Sequence, residues 1–347
     1  MATTLDAPSQ VQHEILGVKL YQNGTVERSE QYNIMFPTAP ANPDRATDGA
    51  LSRDVIIDSG TGNWVRLYIP ERALCASEGK AARLPIILYF HGGGFVVCSA
   101  ADIVFHEICC KIAARIGALV VSLEYRLAPE HKLPSAFEDG FSALKWLQGQ
   151  VQGSEQQNDG LKDPWLSAHG DFGSCFIMGH SAGGTMVHQT GFAAAAGDGL
   201  DRLKIRGLIL VVPFFGGVDR TSTEIAYGET GMLTLKISDD FWAMALPEGA
   251  DRSHPYCTFL TPETQALLKR IELPPSLVVV GAQDTLHDRQ IQYVDFLMQA
   301  GNDVTLLDYP QYGHHLLYPE VSREEDVGEA YLSMQHFITK CINQNIS

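Results

Sequence analysis

Ser181 stands between glycines in GHSAGG (179–184), directly after the apolar run SCFIMG (174–179) and before a helix-period segment, AGGTMVHQTGFAAAAG (182–197). Glycine in a helix costs about 0.5–1 kcal/mol relative to alanine, so Gly179, Gly183 and Gly184 answer a demand other than helix formation. G-x-S-x-G at a strand-to-helix junction is the pattern of a nucleophile elbow, a turn so tight that neighbouring side chains would collide and the serine is held in a strained conformation. Such a turn lifts the hydroxyl above the carboxyl end of a sheet, where doubly wound folds place their sites. A second glycine cluster, HGGGF (91–95), ends the run LPIILYF (84–90). Its glycines let the backbone turn N–H groups toward a developing oxyanion, with the H-G-G-G run and the N–H of Ala182 as the candidate donors. A phosphate loop is the rival for HGGGF, but no G-x-x-x-x-G-K-[ST] follows it.

A nucleophilic serine needs a base, and the base needs an orienting carboxylate. The apolar run LPPSLVVVG (273–281) is followed by AQDTLHD, which puts Asp284 at the end of a strand. After a further helix and strand, YGHHLLYP offers His314 and His315 in a loop before the last helix. The chain order serine, acid, histidine is the one this topology uses. Asp288 is the second candidate acid, one helical turn further on, and reads better as a helix cap. His314, directly after Gly313, is preferred over His315; His287 and His180 rank below both as the base, and His180, beside the serine, reads as a packing or solvent-bound histidine. Phe95, Val96, Phe215 and Leu316 are candidates for the walls of a substrate pocket.

The elements that must position these residues are legible as alternating patterns. RDVIID and WVRLYIP read as strands near the start, and five continuous apolar runs (84–90, 118–125, 174–179, 207–215 and 273–281) read as strands buried on both faces. Helical periods occupy 105–117, 135–150, 182–197, 288–301 and 323–342. Strand–helix alternation implies a mostly parallel sheet with helices on both faces, an α/β fold forming one domain over 1–347. Residues 1–50 are either a disordered lead or a lid over the body, and 214–274, which breaks the alternation, reads as a helical cap insertion.

Composition narrows the function. With 25 Lys+Arg against 41 Asp+Glu the net charge is −16, which disfavours nucleic acid and anionic membranes as partners. Seven cysteines include no C-x-x-C pair and there is no H-E-x-x-H, so metal ligation is not expected and the cysteines read as reduced thiols. The N-terminal stretch lacks a basic segment followed by an apolar one, and no run reaches the roughly 20 apolar residues of a membrane helix. A cytoplasmic protein acting on a small molecule without a cofactor is the expectation, with its oligomeric state open.

Nearly end to end, the chain resembles the plant carboxylesterases of the hormone-sensitive-lipase-like branch of α/β hydrolases. The resemblance rests on VKLYQNGTVER (18–28), DGALSRDVIID (48–58), HGGGF, EYRLAPEHKLPSAFED (124–139), GHSAGG, DRSHPYC (251–257) and QDTLHDRQIQ (283–292). It implies the α/β-hydrolase fold with a small cap and hydrolysis of a carboxylic ester through an acyl-enzyme. Ser181 would be the nucleophile, His314 the base, Asp284 the orienting acid, and Gly93, Gly94 and Ala182 the oxyanion donors. Arg126 and Glu130 would anchor loops. Two departures are His180, where an acidic residue is common, and HHLLY at 314–318. Relatives keep two alternatives open: a dehydratase, lyase or cyclase acting on a plant natural product, and a non-catalytic small-molecule receptor. Gibberellin receptors lack the histidine found here.

Overall fold

The computed structural model describes residues 10–344 apart from 75–82, 152–161, 198, 201 and 319–320. Cys75 and the first nine residues of the N-terminal segment therefore lie outside the described residues. A small antiparallel sheet comes first, made of β1 (Val11–Ile15), β2 (Val18–Tyr21) and β3 (Val26–Arg28), followed by α1 (Glu30–Met35). The tight β1–β2 turn places Leu16 and Gly17 at positive φ.

The main sheet has eight strands. In chain order they are β4 (Ala50–Ile56), β5 (Trp64–Pro70), β6 (Leu84–Phe90), β7 (Leu119–Glu124), β8 (Gly170–His180), β9 (Ile205–Val211), β10 (Ser276–Gly281) and β11 (Val304–Tyr309). They lie in the order β11-β10-β9-β8-β6-β7-β5-β4. β4 and β5 are antiparallel and the six others run parallel. The continuous apolar runs have a direct cause: from Ile86 to Phe90, and again from Cys175 to His180, every residue is buried, because helices cover both faces.

The helices after α1 are α2 (Glu71–Leu74), α3 (Ile103–Lys111), α4 (Ser135–Gly149), α5 (Pro164–His169), α6 (Ala182–Ala195), α7 (Ser222–Tyr227), α8 (Leu235–Ala245), α9 (Pro262–Leu268), α10 (His287–Gln299) and α11 (Glu324–Asn343). Three sequence expectations change. The run 207–215 leaves the sheet after Val211, because Val212 turns to φ +39° and the chain swings toward Ser181, whose carbonyl accepts from the Phe214 N–H at 3.0 Å. The run 273–281 is strand only from Ser276, since Pro274 and Pro275 have no N–H to give a ladder. The helix expected at 105–117 continues α3 into a π-helical turn over Ile112–Gly117.

Residues 214–274 hold α7, α8 and α9. A capping box fixes the start of α7: the Glu224 N–H donates to Thr221 Oγ1, and the Glu224 carboxylate accepts from the Thr221 N–H. The same carboxylate pairs with Arg289 of α10 at 2.7 Å, both side chains buried. β1 packs on α8, where His13 lies 3.6 Å from Asp240. Among the described residues, no helix is long and apolar enough to cross a membrane.

Candidate active site

β8 delivers the chain to Ser181, and α6 carries it away from the next residue. Ser181 has φ +55° and ψ −117°, a region that non-glycine residues enter only under strain. Its surroundings leave no room for side chains on either flank. A Cβ at Gly179 would run into the Gly183 carbonyl, and one at Gly183 would run into the carbonyl of Phe90 on β6. Glycine at both positions is a packing requirement of the elbow.

Ser181 Oγ lies 2.7 Å from His314 Nε2, and His314 Nδ1 lies 2.8 Å from Asp284 Oδ2. Strand order explains how residues so distant in sequence meet: β6, β8, β9, β10 and β11 are parallel neighbours, so the loops leaving them open on the same edge. Asp284 is buried, which alone would raise its carboxyl. The hydrogen bond from His314, the attraction of that ring when it is protonated, the Leu286 N–H at 2.9 Å and the Gln290 amide at 2.8 Å outweigh burial and hold it below the usual carboxylate range. The acid is thus kept ionised where it can fix one histidine tautomer, with the proton on Nδ1 and the lone pair of Nε2 facing Ser181.

The HGGGF loop comes in from β6. Gly93 has φ +108° and Gly94 φ +59°; at Gly93 a Cβ would meet the Val97 carbonyl, and at Gly94 the Phe241 ring. The N–H groups of Val96 and Val97 both donate to the Gly93 carbonyl, at 3.0 and 2.9 Å, and close the turn. His91 is stacked on Tyr125 at 4.1 Å, and the Tyr125 hydroxyl donates to the His91 carbonyl at 2.9 Å. Among the described residues, none accepts a hydrogen bond from the N–H of Gly93, Gly94 or Ala182. A cavity of about 430 Å³ opens over Ser181, His314, Gly93 and Gly94.

A family model for the alpha/beta hydrolase fold matches residues 87–318. The chain belongs to the α/β-hydrolase fold family. This α/β hydrolase is similar to Carboxylesterase 20 of Arabidopsis thaliana, at 34% identity over 307 residues, which covers 87% of this chain and 90% of the relative. It is also similar to the gibberellin receptor GID1C of the same plant, at 34% identity over 279 residues, 78% of this chain and 74% of the receptor. Among solved structures, an esterase of Pyrobaculum calidifontis has a TM-score of 0.66 and 25% identity over 86% of each chain.

The remaining candidates of the hydrolase fall elsewhere. Asp288 joins α10 to α7, its carboxylate accepting from the Thr223 N–H at 3.0 Å. His287 faces Asp308 at 3.1 Å. His315 lies in the same loop as His314, partly buried, and its carbonyl accepts from Ser322. His180 is buried with Nε2 donating to the Leu316 carbonyl at 3.0 Å, and burial together with the charge of His314 lowers its pKa to about 3. Arg126 pairs with Asp139 at 2.7 Å, and Glu130 with Arg28 at 2.8 Å.

The four expected wall residues are corrected: Phe95, Val96, Phe215 and Leu316 do not line the cavity, and all are fully or almost fully buried. The Gly93–Val97 turn drives Phe95 into the core, where it meets Phe137 edge-on at 5.7 Å and Trp242 at 5.8 Å. Val96 is buried behind the same turn, its carbonyl accepting from Arg28 at 2.8 Å. Phe215 packs on Tyr293 and Phe259, so its neighbour Phe214 is the one that reaches the cavity. Leu316 is held under the site by its bond to His180. Walls come instead from the N-terminal segment (Leu16, Met35, Phe36) and from the 214–274 region (Phe214, Leu233, Phe241).

Sequence reasoning missed Gln290, whose amide supports Asp284. The signal was available: a helix starting near 287 turns position 290 inward, behind the strand end that carries the acid. It also missed Asp102 and Tyr318, two polar side chains among the lining residues.

Proposed function

We propose that this hydrolase is a serine carboxylesterase acting on a small-molecule ester through an acyl-enzyme. The 2.7 Å approach of Ser181 Oγ to His314 Nε2 carries the reading, since it couples a hydroxyl to a base already oriented by a buried carboxylate. In the reaction, His314 takes the Ser181 proton as Oγ attacks the carbonyl carbon. The N–H groups of Gly93, Gly94 and Ala182 receive the oxyanion, helped by the N-terminus of α6. His314 then gives its proton to the leaving alcohol. Water enters, loses its proton to His314, attacks the acyl carbon and frees the acid, and the proton returns to Ser181. Asp284 keeps its charge throughout and stabilises the imidazolium. Nothing in this sequence requires a metal or an organic cofactor. The N-terminal segment to about residue 50 and the 214–274 insertion act together as the cap that shapes the cavity.

The test is turnover of p-nitrophenyl butanoate by wild type, Ser181→Ala and His314→Ala. Hydrolysis in wild type that drops by about 10⁶ in either variant is the expected result. A second reading, a receptor that binds without turnover, is favoured by the likeness to GID1C and by the N-terminal residues in the cavity wall. Saturable ligand binding with no hydrolysis by wild type would select it.

A further inference from the structure

The cavity wall is apolar except for a few groups, and one of them is a carboxyl without a cation. Asp102 is 5% exposed and lines the cavity. It precedes α3 but does not cap it: its side chain makes no bond to the helix N–H groups. Its backbone is otherwise engaged, pairing with Thr38 of the N-terminal segment and accepting from the His106 N–H. One carboxylate oxygen accepts from the Ser99 N–H at 3.1 Å. Among the described residues, no Lys, Arg or His forms an ion pair with it.

Its neighbours deepen the deficit of positive charge. Glu124 of β7 accepts from Ser99 Oγ at 2.9 Å and the Ala100 N–H at 2.6 Å. The Cys98 thiol donates a hydrogen bond to the Asp102 carboxylate, and Tyr32 of α1 and Tyr318 stand around the same group. His91 comes within 4.0 Å of Glu124 but burial lowers it to about 4, so it is neutral. Arg66 reaches Glu124 only through space and is spent on Asp54 at 2.6 Å. Arg28, beside Tyr32, is bound to Glu130. Burial and the charge of Glu124 accordingly raise Asp102 to about 7. No described residue hydrogen-bonds the Tyr318 hydroxyl, so it is a spare acceptor in the same wall.

A carboxyl buried in this way is costly unless something pairs with it, and the open side of Asp102 is the cavity. We propose that Asp102 sets substrate choice by pairing with a protonated amine of a hydrophobic ester, with the Tyr318 hydroxyl as a further acceptor. The ligand supplies the cation that the fold withholds, and the apolar wall takes the rest of it. The inference rests on the esterase reading given above.

The experiment compares two matched series with increasing spacer length: ω-(dimethylamino)alkyl butanoates and their isosteres with CH in place of NH⁺. The ratio of kcat/KM between amine and isostere cancels the catalytic machinery common to both. At the best spacer it is expected to be about tenfold or more in wild type, and to fall to about one in Asp102→Asn whatever that variant's absolute rate. In wild type alone the ratio should climb between about pH 6 and 8, as Asp102 ionises through about 7 while the amine stays protonated. This second readout does not depend on the variant folding. A ratio at or below one at every spacer, or a preference unchanged in folded Asp102→Asn, overturns the proposal. If neither ester is hydrolysed, the esterase reading fails. Thermal stabilisation by the corresponding butanamides then decides the amine site separately: equal shifts by amine and isostere overturn it, and a shift by the amine alone that Asp102→Asn removes supports it.

Discussion

Ser181 is held at a positive φ by a backbone arrangement that no neighbouring side chain could enter, and its hydroxyl meets a histidine whose other nitrogen is already committed to Asp284. Catalytic competence at this scale depends on the tautomer. Asp284→Asn is therefore expected to lower kcat by about 10⁴ with little change in KM, measured on p-nitrophenyl butanoate. Near-normal turnover would remove Asp284 from the role. The elbow glycines give a second expectation. Gly183→Ala brings a methyl group against the Phe90 carbonyl and should destabilise the protein by more than about 3 kcal/mol in urea denaturation. Ser181, His314, Asp284 and the glycine loop were all legible in the sequence, because tight turns and chain order constrain residue type. The wall residues were not. Phe214 and Phe215 are chemically alike, and only the turn after Val211 decides which one faces the cavity.

At the scale of elements, the parallel core was readable from apolar runs, whereas the N-terminal sheet was not. β1, β2 and β3 are short and half exposed, so their pattern does not separate them from a polar lead. Arg28 at the end of β3 joins this sheet to the body. Its guanidinium donates to the carbonyls of Val96 at 2.8 Å and Ala128 at 3.1 Å and pairs with Glu130. Because Val96 belongs to the turn that shapes the HGGGF loop, the N-terminal sheet and that loop share one anchor. Charged hydrogen bonds of this kind contribute about 1.5–3 kcal/mol each. Arg28→Ala should expose residues 11–36 to limited proteolysis and raise KM more than it lowers kcat. Unaltered cleavage and kinetics would show that the N-terminal sheet is held elsewhere.

The whole molecule carries an acid-sensitive charge balance. Burial lowers His91 and His106 to about 4 and His180 and His188 to about 3. These four stay neutral when folded but bind protons when unfolded at any pH below about 6.5, so their contribution is full above that pH and is lost as pH falls. Asp102 and Glu124, raised to about 7 by burial, act in the opposite sense over the same range, holding protons that the unfolded chain releases. The histidines outnumber the two carboxyls, so unfolding takes up protons on balance and stability declines as pH falls. Unfolding free energy should therefore fall steeply from pH 6.5 to about 4.5. A flat profile in urea titrations across that range would show that the histidines are not buried as described. None of this was readable from the twelve histidines in the sequence, since depth of burial is a property of the assembled sheet and helices.

The central claim is that Ser181 becomes acylated. Its most direct test is the intact mass of the protein after treatment with a p-nitrophenyl alkylphosphonate, with peptide mapping, in wild type and Ser181→Ala. A single phosphonyl adduct on Ser181, formed in step with loss of ester hydrolysis and absent from the variant, is the expected result. Undiminished hydrolysis in Ser181→Ala, or inactivation with Ser181 unmodified, would contradict it.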